Sequence, residues 1–262
     1  MAAAAGYAVP RMRNTVPWKW WWFAFGIVIA AGLFAHDRAG IIAAAIVAGG
    51  MLVWGGWPVV HARFCFRRLA AAVEREDATE ARRWLERLPS YETSYGRAYV
   101  KITEAAILSL EEKYSDARRV LSEIVKAGPR LEVVRQNALA WCEAHDGAAE
   151  TAVQSAEATL DRARLQYPAL VPYCLGTLGA ARVLAGKSGE AIEPLQKALA
   201  AGRPPRAQSI RAYYLGEAYR AGGRIDDALA AYERARRDSP QSRWAKKAAD
   251  RAQELAKASP YR

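Results

Sequence analysis

Three histidines, three cysteines and a few adjacent carboxylates are the residues here whose types could do chemistry, and their spacing decides what they can do. His36, His61 and His145 stand far apart, and no His-Glu-x-x-His pair places two imidazoles on one helix face for zinc. Cys65, Cys142 and Cys174 are odd in number and widely spaced, with no Cys-x-x-Cys. That argues against a disulfide framework and fits a reducing compartment, with each thiol a small buried hydrophobe. There is no Gly-x-Ser-x-Gly elbow and no glycine-rich phosphate loop ending in Lys-Ser/Thr. Gly176 and Gly179 sit in a helical pattern with no strand before them, which removes a dinucleotide fold. Glu111-Glu112 and Asp226-Asp227 fall at helix ends, where they face water or the helix dipole. The expectation is a protein that is not an enzyme, with no catalytic residues, no cofactor, no metal and no small-molecule substrate.

The elements that would position these residues divide at the N-terminal quarter. Residues 18–35 and 40–60 are two apolar runs carrying one charge between them, Lys19. As helices they are long enough to cross a hydrocarbon core of about 30 Å. The four residues between them allow only a reversal, so a two-helix transmembrane hairpin is expected over 18–60, after a tail at 1–17. Gly26 with Ala30, and Ala44 with Ala48, supply small-xxx-small pairs for close backbone approach. Arg11, Arg13 and Lys19 precede the first run and Arg63, Arg67 and Arg68 follow the second, which places both termini in the cytoplasm. Trp18, Trp20, Trp21, Trp22, Trp54 and Trp57 fall at that same interface, where indole prefers to lie. Arginine over lysine, 29 to 9, and abundant alanine fit a GC-rich bacterial genome, hence a bacterial inner membrane.

The remainder repeats. In 209–242, counted from Ser209, Leu215-Gly216 occupy positions 7 and 8, Tyr219 is 11, Ala228 is 20, Tyr232 is 24, Ala235 is 27 and Pro240 is 32. Small residues at 8 and 20 let two helices cross closely, and large ones at 7, 11 and 24 fill the space beside the crossing. Ala191, Ala152, Ala117 and Ala81 anchor weaker copies upstream, so the anchors lie 36, 35, 39 and 37 residues apart. The pattern resembles the tetratricopeptide repeat, with Ala212 where that family usually has Trp at position 4. The resemblance implies an all-α chain: a tetratricopeptide-like right-handed α-solenoid of about five helical hairpins over 61–242. A capping helix and tail would follow at 243–262. The layout is similar to membrane-anchored bacterial tetratricopeptide proteins with paired N-terminal spans.

In that family, positions 2, 5, 9 and 12 of each first helix face the ligand. Carried over, the resemblance implies a partner-binding groove that includes Tyr99, Asn137, Trp141, Tyr173, Tyr213, Glu217 and Arg220. The Lys-at-5, Asn-at-9 clamp for a peptide's terminal carboxylate is missing, and aromatic rings stand in its place. The functional expectation is a scaffold or adaptor that binds protein partners through this groove and lipid through its hairpin. One alternative is a permanent structural subunit of a large membrane complex, favoured by the Gly/Ala-rich spans. The net charge of +11 leaves a basic solenoid that binds nucleic acid as a further alternative, but no nucleic-acid motif supports it.

Overall fold

The computed structural model describes residues 26–28, 38–88, 94–202 and 204–258. Among them all regular structure is helical. The helices are α1 (Arg38–Glu74), α2 (Ala78–Glu86), α3 (Ser94–Leu110), α4 (Tyr114–Ser122), α5 (Pro129–His145) and α6 (Ala149–Gln166). A 3-10 turn, Pro168–Leu170, leads to α7 (Val171–Leu184), α8 (Ser188–Ala200), α9 (Pro205–Ala221), α10 (Ile225–Asp238) and α11 (Arg243–Ala258).

Five hairpins result, α1–α2 through α9–α10, and their reversals share one construction. The residue five before each anchor alanine has positive φ: Glu76, Glu112, Gly147, Gly186 and Gly223. The next amide donates to a carbonyl five residues back, in Asp77→Ala72, Lys113→Leu108, Ala148→Glu143, Lys187→Arg182 and Arg224→Tyr219. This is the bond that ends a helix through a left-handed residue and satisfies carbonyls the helix leaves open. Each following helix starts at once. Asp77 caps α2 with its own carboxylate, which accepts from the Glu80 amide at 2.8 Å, and Pro129 and Pro205 open α5 and α9, where a missing amide proton costs nothing.

Packing inside the hairpins follows the repeat. The anchors Ala81, Ala117, Ala152, Ala191 and Ala228 are all fully buried, as are Leu121, Ala156, Leu195 and Tyr232 at position 24. Position 8 meets position 24 across the crossing. A methyl group on Gly216 would overlap the Tyr232 ring, and one on Gly179 would overlap Leu195. Between hairpins, α3 packs on α5, α5 on α7, α7 on α9 and α9 on α11, so the first helices form an inner row.

The apolar run 18–35 lies outside the described residues except for 26–28, so the first span, with Trp18, Trp20, Trp21 and Trp22, is not described. The run 40–60 falls within α1, which continues through residue 60 into the first hairpin without a break. Most of its side chains, including those of Trp54 and Trp57, lie outside the described set. Among the described residues no helix is long and apolar enough to cross a membrane. The side chains of α1 that are described before His61, Ile42, Ile46, Val47 and Val60, are apolar and exposed. Arg63, Arg67 and Arg68 are exposed one to two turns further on.

Candidate functional site

The expected groove residues fall on the first helices of the hairpins, and α11 of the same chain packs against some of them. Helix α11 turns back after the last hairpin and inserts Trp244, 1% exposed, among rings from three other helices. Tyr213 and Tyr214 of α9 lie 5.3 Å from it, and Trp141 and His145 of α5 lie 6.0 and 6.3 Å away. Tyr114 stacks on His145 at 4.6 Å and closes the cluster from α4. Such edge and offset arrangements suit the ring quadrupoles.

His145 is neutral within this cluster. One ring nitrogen, Nδ1, lies 2.8 Å from the Trp141 carbonyl, to which it donates. The other, Nε2, accepts from the Tyr214 hydroxyl at 2.7 Å. Burial drives its pKa down to about 4, and Arg243 and Lys247 push the same way. Burial also holds the thiols protonated, Cys142 up to about 11 and Cys174 up to about 12. Neither is a nucleophile at neutral pH. Among the described residues, no three His, Cys, Asp or Glu side chains gather as metal ligands.

A clasp joins the first two hairpin turns to α9 and α11. Glu76 Oε1 accepts from Arg206 Nε at 2.9 Å, and Oε2 accepts from the Arg243 backbone amide at 2.7 Å. The side chains of Arg206 and Glu76 are 12% and 9% exposed, so this ion pair is buried. One turn away, Arg243 donates to the carbonyls of Ser109 and Leu110, both at 3.1 Å. Glu112 takes ion pairs from Arg243 at 3.3 Å and Lys247 at 3.1 Å. Both carboxylates belong to left-handed turn residues, and each reaches elements more than 125 positions further along the chain.

Of the seven groove residues, Tyr99 is buried edge-on against Phe66 of α1 at 5.1 Å. Asn137, Trp141 and Tyr213 are buried as well. Glu217 is 8% exposed; it accepts from the Tyr232 hydroxyl at 2.6 Å and pairs with Arg220 and Arg251. Tyr173 is half-buried, and the Arg220 side chain is 40% exposed. The structure therefore gathers Trp141 and Tyr213 around Trp244, sets Tyr99 apart against α1, and leaves Tyr173 and Arg220 accessible. A partner could reach Trp141 and Tyr213 only after α11 moves.

No family model and no curated protein matches the chain.

Sequence reasoning missed Trp244, His145, Tyr214 and the clasp glutamates. Trp244 is the only aromatic residue of a helix that otherwise reads as a polar cap, which was a signal that one face is buried. Glu76 and Glu112 stand at the offset from the anchor where the later repeats carry glycine.

Proposed function

We propose that the chain is a membrane-anchored scaffold: a tetratricopeptide-like α-solenoid, tethered by an N-terminal hairpin, that binds protein partners at the cytoplasmic face of a bacterial inner membrane. The observation that carries this reading is the fivefold recurrence of one hairpin. The same left-handed reversal and the same fully buried alanine return in all five, and the last two share the close crossing of position 8 on position 24. Stacked hairpins of this kind expose one continuous inner surface, which suits extended partners better than chemistry on a small molecule.

The tether rests on α1. Ile42, Ile46, Val47 and Val60 are exposed on a long helix, and lipid is the solvent that would bury them. The exposed arginines 63, 67 and 68 follow at the level of lipid phosphates, as expected of a cytoplasmic flank. Tethering raises the local concentration of whatever the solenoid holds.

The test places a photo-crosslinking residue at Tyr173, at Arg220 and, as control, at Leu165, which is exposed on α6. The full chain would be expressed in membranes. Specific protein adducts from Tyr173 and Arg220 but not from Leu165 are expected, together with retention in the membrane after an alkaline wash. Adducts that do not depend on position, or release by the wash, would defeat the proposal. Native mass in mild detergent then separates an adaptor from a permanent subunit.

A further inference from the structure

Between α1, α3, α4, α5, α7 and α9 lies a half-open cavity of about 80 Å3. Its walls are largely apolar, with Ile102, Leu121, Val134 and Trp141 among them. The clasp bounds it, because Arg206 is both a wall residue and the partner of Glu76. Of the polar residues in this lining, Glu74, Ser109, Tyr173, Thr177, Arg206 and Arg211, two are unusual.

The first is Arg211, 3% exposed. Its guanidinium donates to the carbonyls of Ala198 at 2.9 Å, Pro172 at 3.1 Å and Gly202 at 3.4 Å, and lies over the Tyr173 ring at 5.5 Å. All of these acceptors are neutral. Among the described residues no carboxylate pairs with it, and desolvation lowers its pKa. A buried charge without a counter-ion is an expensive arrangement. Gly176 makes room for it, since a side chain there would press on Arg211 Nε.

The second is Thr177, 1% exposed, whose hydroxyl has no hydrogen-bond partner. Two other buried helical threonines behave differently. Thr103 donates to the Tyr99 carbonyl at 2.9 Å and Thr159 to the Ser155 carbonyl at 2.7 Å, the usual bond four residues back. Thr177 forgoes that bond and lines the cavity.

We infer that this cavity is a binding site for a small apolar monocarboxylic acid. The carboxylate sits between the Arg211 guanidinium and the Thr177 hydroxyl, and the hydrocarbon lies against Ile102, Leu121, Val134 and Trp141. The anion supplies the missing counter-charge, and the hydroxyl donates to it. The volume is about half that of a dry cavity of about 150 Å3 that holds benzene, which limits the acid to about two to three carbons. The inference does not need the scaffold reading, although Trp141 and Tyr173 line both the cavity and the expected groove; its test reads a small acid and not a protein partner.

Ligand-observed NMR on the full chain in detergent, with propanoate as probe and propanamide as its neutral counterpart, tests it. The acid should bind with a dissociation constant at or below about 1 mM and at least about tenfold more tightly than the amide. Thr177→Val should weaken the acid severalfold without lowering the melting temperature, because the hydroxyl it removes is unpaired in the free protein. Ala106→Leu, which fills the cavity, should abolish binding in a chain that still melts cooperatively. Equal affinity for acid and amide, unchanged binding in both variants, or no binding at about 10 mM would each overturn the inference.

Discussion

The first two hairpin turns and the last three reach the same left-handed backbone with different residues. Gly147, Gly186 and Gly223 adopt positive φ at no steric cost, while Glu76 and Glu112 adopt it at φ 59° with a Cβ in the way. Left-handed geometry in a residue that resists it costs about 1 kcal/mol or more and persists where something else holds it. At Glu76 that something is a largely buried ion pair and a backbone amide of α11; at Glu112 it is a half-buried arginine and an exposed lysine. The glycine turns only reverse the chain. The glutamate turns also fasten its far end, which is why the repeat departs from its own pattern there.

The largest effect should come from Glu76→Ala. Alanine keeps the steric cost of the turn, leaves Arg206 buried without a counter-ion, and strips the Arg243 amide of its acceptor. A loss of about 4 kcal/mol in chemical denaturation is expected. A loss below about 1 kcal/mol would erase the distinction between the two kinds of turn.

A pH titration sharpens the comparison from the other side of α11. His145 titrates at about 4 in the folded chain and near 6.5 when unfolded. Above pH 6.5 both states are neutral and His145 contributes no pH dependence. As pH falls from 6.5 toward 4 the unfolded state takes up the proton first, so stability drops by up to about 3 kcal/mol. Denaturation of His145→Phe should show that slope removed between pH 6.5 and 5.

Smaller effects separate the turns themselves. Gly147→Ala, at φ 88° with open space around it, should cost about 1 kcal/mol for backbone reasons alone. Glu112→Gly should fall within about 1 kcal/mol of neutral, because relief of the left-handed strain offsets the loss of exposed ion pairs. Thermal melts of the two variants beside the parent chain decide both, and a marked loss in Glu112→Gly would show that its exposed pairs act as a buried clasp does.

Much of the hairpin framework was legible because it is local. The alanine anchors, the glycines at position 8 and the large residues at position 24 lie within one repeat, and their spacing alone implies a close crossing. All five anchors are fully buried. The turn glutamates were legible in principle, five residues before Ala81 and Ala117, but nothing local says what their carboxylates touch. Arg206 lies 130 residues from Glu76, and no periodicity encodes that contact. Burial of Trp141 and Tyr213 was hidden for the same reason, since family positions place them on the inner face while Trp244 arrives from another helix. Arg211 and Thr177 carried no signal at all, because each is ordinary in its own helix and becomes unusual only beside a cavity.

The claim on which the rest depends is that the first hairpin turn is fastened to the last hairpin through Glu76. A double-mutant cycle of Glu76→Ala and Arg206→Ala, read by denaturant unfolding, tests it most directly. The account predicts a coupling energy of about 2 kcal/mol or more; additive effects, within about 0.5 kcal/mol, would contradict it.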